Sequence, residues 1–72
     1  MKHLSQREQE VLDLISLEFT TEQIAQELYI SHHTVDSHRK SLFKKLGAKN
    51  SAGLVRRAFE AGIFQSMIPN SI

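Results

Sequence analysis

The sequence predicts an all-α domain of four short helices, and three observations predict it. Apolar residues recur three and four apart, as on one side of a helix, in every stretch long enough to hold an element. Ser5, Thr20, Ser31 and the Asn50–Ser51 pair stand just ahead of those stretches, where side-chain oxygens cap helix N-termini. Gly47 and Gly62 stand just after two of them, where a left-handed residue closes a helix. No strand-like alternation, internal repeat or low-complexity segment competes with this pattern. The 72 residues are expected to form one domain over 1–72, with a core over 4–64 and a tail over 65–72.

The first helix is placed over about residues 6–17. Ser5 can cap the Glu8 N–H while the Glu8 side chain reaches back to Ser5, a capping box. Val11, Leu12 and Ile15 form its apolar stripe, with Glu8 one turn earlier. A second helix over 21–28 repeats the device with Thr20 and Gln23, and carries Ile24, Ala25 and Leu28. Only about three residues, Tyr29-Ile30-Ser31, precede the next helical pattern, so the two helices must cross steeply, as in a helix-turn-helix. Ala25 is small enough to let them approach. The third helix, 32–46, presents Val35, Leu42 and Leu46 to a core, with His38 or Phe43 between them. The fourth, 51–61, turns Leu54, Ala58 and Ile63 inward, and Ile63 and Phe64 fold back onto the core.

Charge and composition narrow the function. Residues 1–30 carry two basic and six acidic side chains, net −4, whereas residues 31–72 carry seven basic and two acidic, net +5. A split of this kind points to a polyanionic partner for the basic half, or to a solvated basic face. There is no cysteine, which fits a reducing interior and removes thiolate metal sites. No apolar run approaches the ~20 residues of a membrane span, and no signal-peptide pattern precedes Leu4, so a soluble cytoplasmic domain is expected. The nearness of Met1 to the first helix suits a piece of a longer protein.

No enzyme is expected, nor any cofactor or metal. His33 and His38 point about 140° apart at ~100° per residue, so they do not converge on one ion. Asp36, Ser37 and His38 hold the residue types of a hydrolytic triad, but helix neighbours diverge too far for a proton relay. No glycine-rich phosphate cradle is present. What remains is a helix with a narrow apolar stripe and a broad polar, basic face. Its N-terminal amides, with Ser31, His33 and Thr34, suit a phosphate oxygen. Asp36, Ser37, Lys40 and Ser41 would face base edges in a major groove, and Lys44 and Lys45 the flanking phosphates. On the fourth helix Val55, Arg56 and Phe59 widen the apolar side beyond one core, which suggests a weak homodimer through this helix.

Three segments carry a family resemblance: "LSQREQEVLDLI" at 4–15, "EQIAQELYISHHTVDSHRKSLFKKLGAKN" at 22–50, and "AGIF" at 61–64. They resemble the LuxR-type (GerE-like) helix-turn-helix family over about residues 4–64. The most specific parts are the L-S-Q-R-E-Q-E-V-L opening, the I-A…I-S…T-V centre, His38 three residues after Val35, and K-L-G at 45–47. The resemblance implies a four-helix DNA-binding domain of a bacterial transcription regulator, often the output half of a two-component response regulator. Its third helix would enter the major groove of double-stranded DNA and its fourth would mediate dimerisation. RNA polymerase is a further partner such a regulator implies. Residue by residue, Thr34 matches a phosphate contact, Ser37 a base-touching position, Lys40, Lys44 and Lys45 basic DNA-facing positions, and Val35, Leu42 and Leu46 the core.

The chain departs from the family pattern at three places. Asp36 replaces the usual lysine after T-V; it either accepts from the amino group of cytosine or holds Lys40 or Arg39 in an (i, i+4) or (i, i+3) pair. Glu18 replaces a glycine before the second helix, which would give the loop another conformation or lengthen the first helix. Ser51 replaces an arginine near the start of the fourth, removing a salt bridge or phosphate contact. Two other readings stay open from sequence: a sigma-factor region-4-like promoter-binding module, against which the K-L-G-A-K-N link and fourth helix argue, and a helical protein-interaction domain whose basic face docks an acidic partner.

Overall fold

The structure, a computed structural model, describes residues 3–63. Within them lie α1 (Gln6–Ser16), α2 (Thr21–Leu28), α3 (His32–Leu46) and α4 (Ser51–Glu60). Phe64 and the tail from residue 65 lie outside the described residues.

Each helix starts at a side-chain cap. The Ser5 hydroxyl accepts from the Glu8 N–H at 3.0 Å and the Glu8 carboxylate accepts from the Ser5 N–H at 2.9 Å. Thr20 and Gln23 form the same reciprocal pair at 3.1 and 2.8 Å. Ser31 caps α3 through the Thr34 N–H at 3.0 Å, and Asn50 rather than Ser51 caps α4 through the Gly53 N–H at 2.8 Å. Every helix thus satisfies one of its orphan first-turn donors without help from another element.

The four helices also end alike. Glu18, Tyr29, Gly47 and Gly62 take a left-handed backbone, with φ of 67°, 58°, 68° and 72°. The next amide in each case donates to the carbonyl five residues earlier: Phe19 to Leu14 at 3.1 Å, Ile30 to Ala25 at 3.0 Å, Ala48 to Phe43 at 3.1 Å and Ile63 to Ala58 at 3.0 Å. This is the Schellman closure, which wants an apolar residue after the left-handed one. Phe19, Ile30, Ala48 and Ile63 meet that demand, each half-buried against the core. Glu18 therefore neither reroutes its loop nor lengthens α1. It adopts the left-handed backbone that favours glycine, with φ of 67°.

The core is Val11, Leu12 and Ile15 of α1, Ile24 and Ala25 of α2, Val35 and Leu42 of α3, and Leu54 and Ala58 of α4. Burying each large aliphatic side chain contributes roughly 2 kcal/mol relative to leaving it in water. Helices α1 and α3 each pack on the other three, whereas among the described residues α2 and α4 do not meet. Ala25, 5% exposed, sits on α2 just before the three-residue turn into α3, as its small side chain requires.

A left-handed non-glycine residue costs roughly 1–2 kcal/mol, and glycine gives back roughly 0.5–1 kcal/mol by freeing the unfolded chain. Glu18→Gly is therefore expected to raise stability by about 0.5 kcal/mol. Urea unfolding would show it as a higher midpoint at an unchanged m-value; a lower midpoint would mean that Glu18 bears no strain.

Candidate nucleic-acid interface

Helix α3 is divided lengthwise. Val35 and Leu42 are fully buried, and His38, Phe43 and Leu46 lie half-buried beside them. On the far side His33, Ser37, Lys40 and Lys44 are exposed, at the spacing of four, three and four residues that keeps one helix face in line. His32 and Asp36 flank that line and are exposed as well. At its N-terminal end the Ser31 and Thr34 hydroxyls lie 2.9 Å apart. One of the two donates to the other, which leaves a second hydroxyl hydrogen available to an anion at the helix start.

Two residues expected on this face are engaged elsewhere. Ser41 donates to the Glu8 carboxylate at 2.5 Å, and the Lys45 ammonium donates to it at 2.7 Å and to the His3 carbonyl at 3.2 Å. The reason is helical geometry. Lys44 and Lys45 are adjacent and so point ~100° apart, and only one of them can share the outer face with Lys40. Ser41 lies one turn before Lys45, on the same inner flank. The expected placement of Ser41 at base edges and of Lys45 at phosphates gives way to an internal role for both.

Glu8 is the group they serve. It stands on the apolar stripe of α1 and is only 6% exposed. Burial alone would raise its pKa, but hydrogen bonds from Lys45, Ser41 and the Ser5 N–H, together with the Lys45 charge, outweigh that and lower it from 4.5 to about 2. Sequence reading gave Glu8 a capping role only. The signal was present nonetheless: an acid on a buried stripe requires a base, and the third helix supplies an adjacent lysine pair from which to draw one.

Arg39 was also not singled out as a contact. Its guanidinium donates to the Ser51 hydroxyl at 3.1 Å and lies 5.8 Å from the centre of the Phe43 ring. An arginine of α3 thus joins α3 to the first residue of α4. It is not paired with Asp36. Past Gly47, Lys49 is exposed just before α4 and Arg57 is exposed in its last turn. On α4 itself, Val55 is half-buried against the core and Arg56 pairs with Glu60 at 3.3 Å. Phe59 is 62% exposed, so of the three residues expected at a dimer contact it offers the most free apolar surface.

Two helices joined by three residues, the second packed on one side and polar, basic and exposed on the other, define a DNA-binding helix-turn-helix domain. The chain matches the model of the bacterial regulatory proteins of the luxR family over residues 2–58, and it belongs to that family. It is 43% identical over 60 residues to the transcriptional regulatory protein MctR of Rhizobium johnstonii, covering 83% of this chain and 28% of that protein. It is 36% identical over 64 residues to the oxygen regulatory protein NreC of Staphylococcus aureus, covering 89% of this chain and 30% of that one. The crystal structure of the response regulator ChrA of a heme-sensing two-component system superposes with a TM-score of 0.83 at 30% identity, over 88% of this chain and 31% of that one. The chain spans less than a third of the length of each of these proteins.

Replacing Glu8 by glutamine removes the counter-charge of Lys45 and turns one of the two acceptor oxygens into an amide donor. Because the Lys45 side chain keeps 32% of its exposure, the cost is below that of a fully buried pair, and Glu8→Gln is expected to lose about 2 kcal/mol of stability. The pH dependence has a definite sign. A carboxyl depressed in the folded state stabilises fully above its unfolded value of 4.5, and that contribution fades as pH falls from 4.5 towards 2. Urea unfolding between pH 2 and 6 should show this acid-side loss in the parent chain and a flatter profile in Glu8→Gln.

Proposed function

We propose that this domain binds double-stranded DNA in a sequence-specific manner as the output domain of a bacterial response regulator, with α3 in the major groove. One observation carries the reading: the exposed line of His33, Ser37, Lys40 and Lys44 along a helix whose other side is anchored in the core. In this placement Ser31, His33 and Thr34 meet a phosphate, Asp36, Ser37 and Lys40 face base edges, and Lys44 meets the backbone further on. The response-regulator setting rests on the family and on the likeness to ChrA, a response regulator.

One module of this size buries little surface, so specific occupancy comes from two copies on half-sites about one helical turn apart. Phe59 and Val55 of α4 form the apolar part of that contact, with Arg56 and Glu60 at its edge. RNA polymerase is the further partner of a regulator of this kind, and the cytoplasm its place of work. No helix among the described residues is long and apolar enough to cross a membrane.

Fluorescence anisotropy on a duplex selected from a random library, repeated at several salt concentrations, tests the assignment. Lys44→Ala is expected to weaken binding to all sequences and to reduce the slope of log K against log salt by about one. Lys45→Ala is expected to leave that slope unchanged and to lower folding stability instead. If both substitutions change the slope equally, the division of labour between the two lysines is wrong. Sedimentation at rising concentration should show self-association that Phe59→Ala weakens.

A further inference from the structure

We infer that Asp36 is a specificity-determining residue that selects cytosine at one position of each half-site and penalises every other placement on DNA. The inference rests on the DNA-binding reading above and deepens it. An aspartate in the second turn of an otherwise basic helix face has two available roles: holding a neighbouring base in position, or contacting the target itself. The structure removes the first. Arg39, three residues on, is directed to Ser51 and the Phe43 ring. Lys40, four residues on, is exposed, and Asp36 belongs to none of the ion pairs among the described residues, which are Arg7–Glu10, Lys45–Glu8 and Arg56–Glu60. His32 and His33, one turn earlier, form no hydrogen bond with it among the described residues. Asp36 therefore reaches the surface uncommitted, beside Ser37 and Lys40.

An ionised carboxylate is an acceptor only. In the major groove guanine offers N7 and O6 and thymine offers O4, all acceptors, and each would leave the carboxylate desolvated and unpaired. Adenine offers a donor at N6 but sets the N7 acceptor beside it. Cytosine offers the N4 amino group with no acceptor at its side on the same base, and so is the match. On any other sequence the negative charge lies near phosphates with nothing in return, which lowers non-specific affinity. Discrimination thus comes from repulsion as well as attraction.

The test is selection from a random duplex library with the 72-residue chain, its Asp36→Ala and its Asp36→Asn variants, followed by anisotropy on the four single-base versions of the winning site. Asp36 is exposed, and circular dichroism will confirm that all three chains keep their helices. The parent should prefer cytosine at one position by about tenfold over guanine or thymine. Asp36→Ala should level that position, keep the others, and bind unrelated duplex several-fold more tightly. Asp36→Asn, with a donor beside its acceptor, should move the preference to adenine. If the parent and Asp36→Ala select the same base at every position, the role of Asp36 is overturned while the DNA reading stands. If the parent enriches no sequence at all, the DNA reading itself falls.

Discussion

The buried carboxylate of Glu8 is the constraint on which the rest of this domain turns. It accepts from the Ser5 N–H on its own helix and from Ser41 and Lys45 on α3. Through these contacts one side chain starts α1 and helps fix the rotation of α3 about its own axis. That rotation has functional weight, because α3 carries basic residues on more than one side. With Lys45 held inward, Lys44, Lys40, Ser37 and His33 fall into line outward; a turn of ~100° about the axis would present Lys45 and Ser41 instead. Hydrophobic packing sets the sense of that rotation, because Val35 and Leu42 are fully buried opposite Lys44. The Glu8–Lys45 pair, with the carboxylate side chain 8% exposed and the lysine 32%, adds a directional contact to that packing.

The ends of the helices are the second organising feature. Four caps and four Schellman closures mean that each helix is delimited by its own neighbours in sequence, and the residue after each left-handed position, from Phe19 to Ile63, then points the chain back into the core. The two closures around α2 use Glu18 and Tyr29 where glycine would be unstrained. The two around the C-terminal half of the described fold use Gly47 and Gly62. Strain therefore falls at the C-terminal closures of α1 and α2.

Most of the fold was legible because it is written locally. Ser5 with Glu8, Thr20 with Gln23, Ser31 and Gly47 each act on residues within one turn, and a short span of sequence contains the whole interaction. The exposed line on α3 followed from its period for the same reason. Less legible were the features that join distant parts of the chain. Period turns Lys44 outward with Lys40 but does not say what the neighbouring Lys45 meets; its partner, Glu8, lies 37 residues away in sequence. The Arg39–Ser51 link was hidden similarly, because its meaning depends on how α3 and α4 cross. The left-handed Glu18 was obscured for a different reason: glutamate has no preference for that backbone, and only the closure pattern of its neighbours imposes it.

These features together assign different mechanical roles to the two helices of the helix-turn-helix. Helix α3 is held by three neighbours, a buried ion pair and an inter-helix hydrogen bond. Helix α2 has eight residues, buries fully only Ile24 and Ala25, does not meet α4 among the described residues, and ends at the left-handed Tyr29. Local stability follows buried contact and unstrained backbone, so α2 is the weaker of the two and α3 the reference against which it is set. The arrangement suits recognition. A surface that must discriminate bases by the placement of single hydrogen-bonding groups needs them carried on a rigid element, and here those groups stand on a helix that packs on all three others.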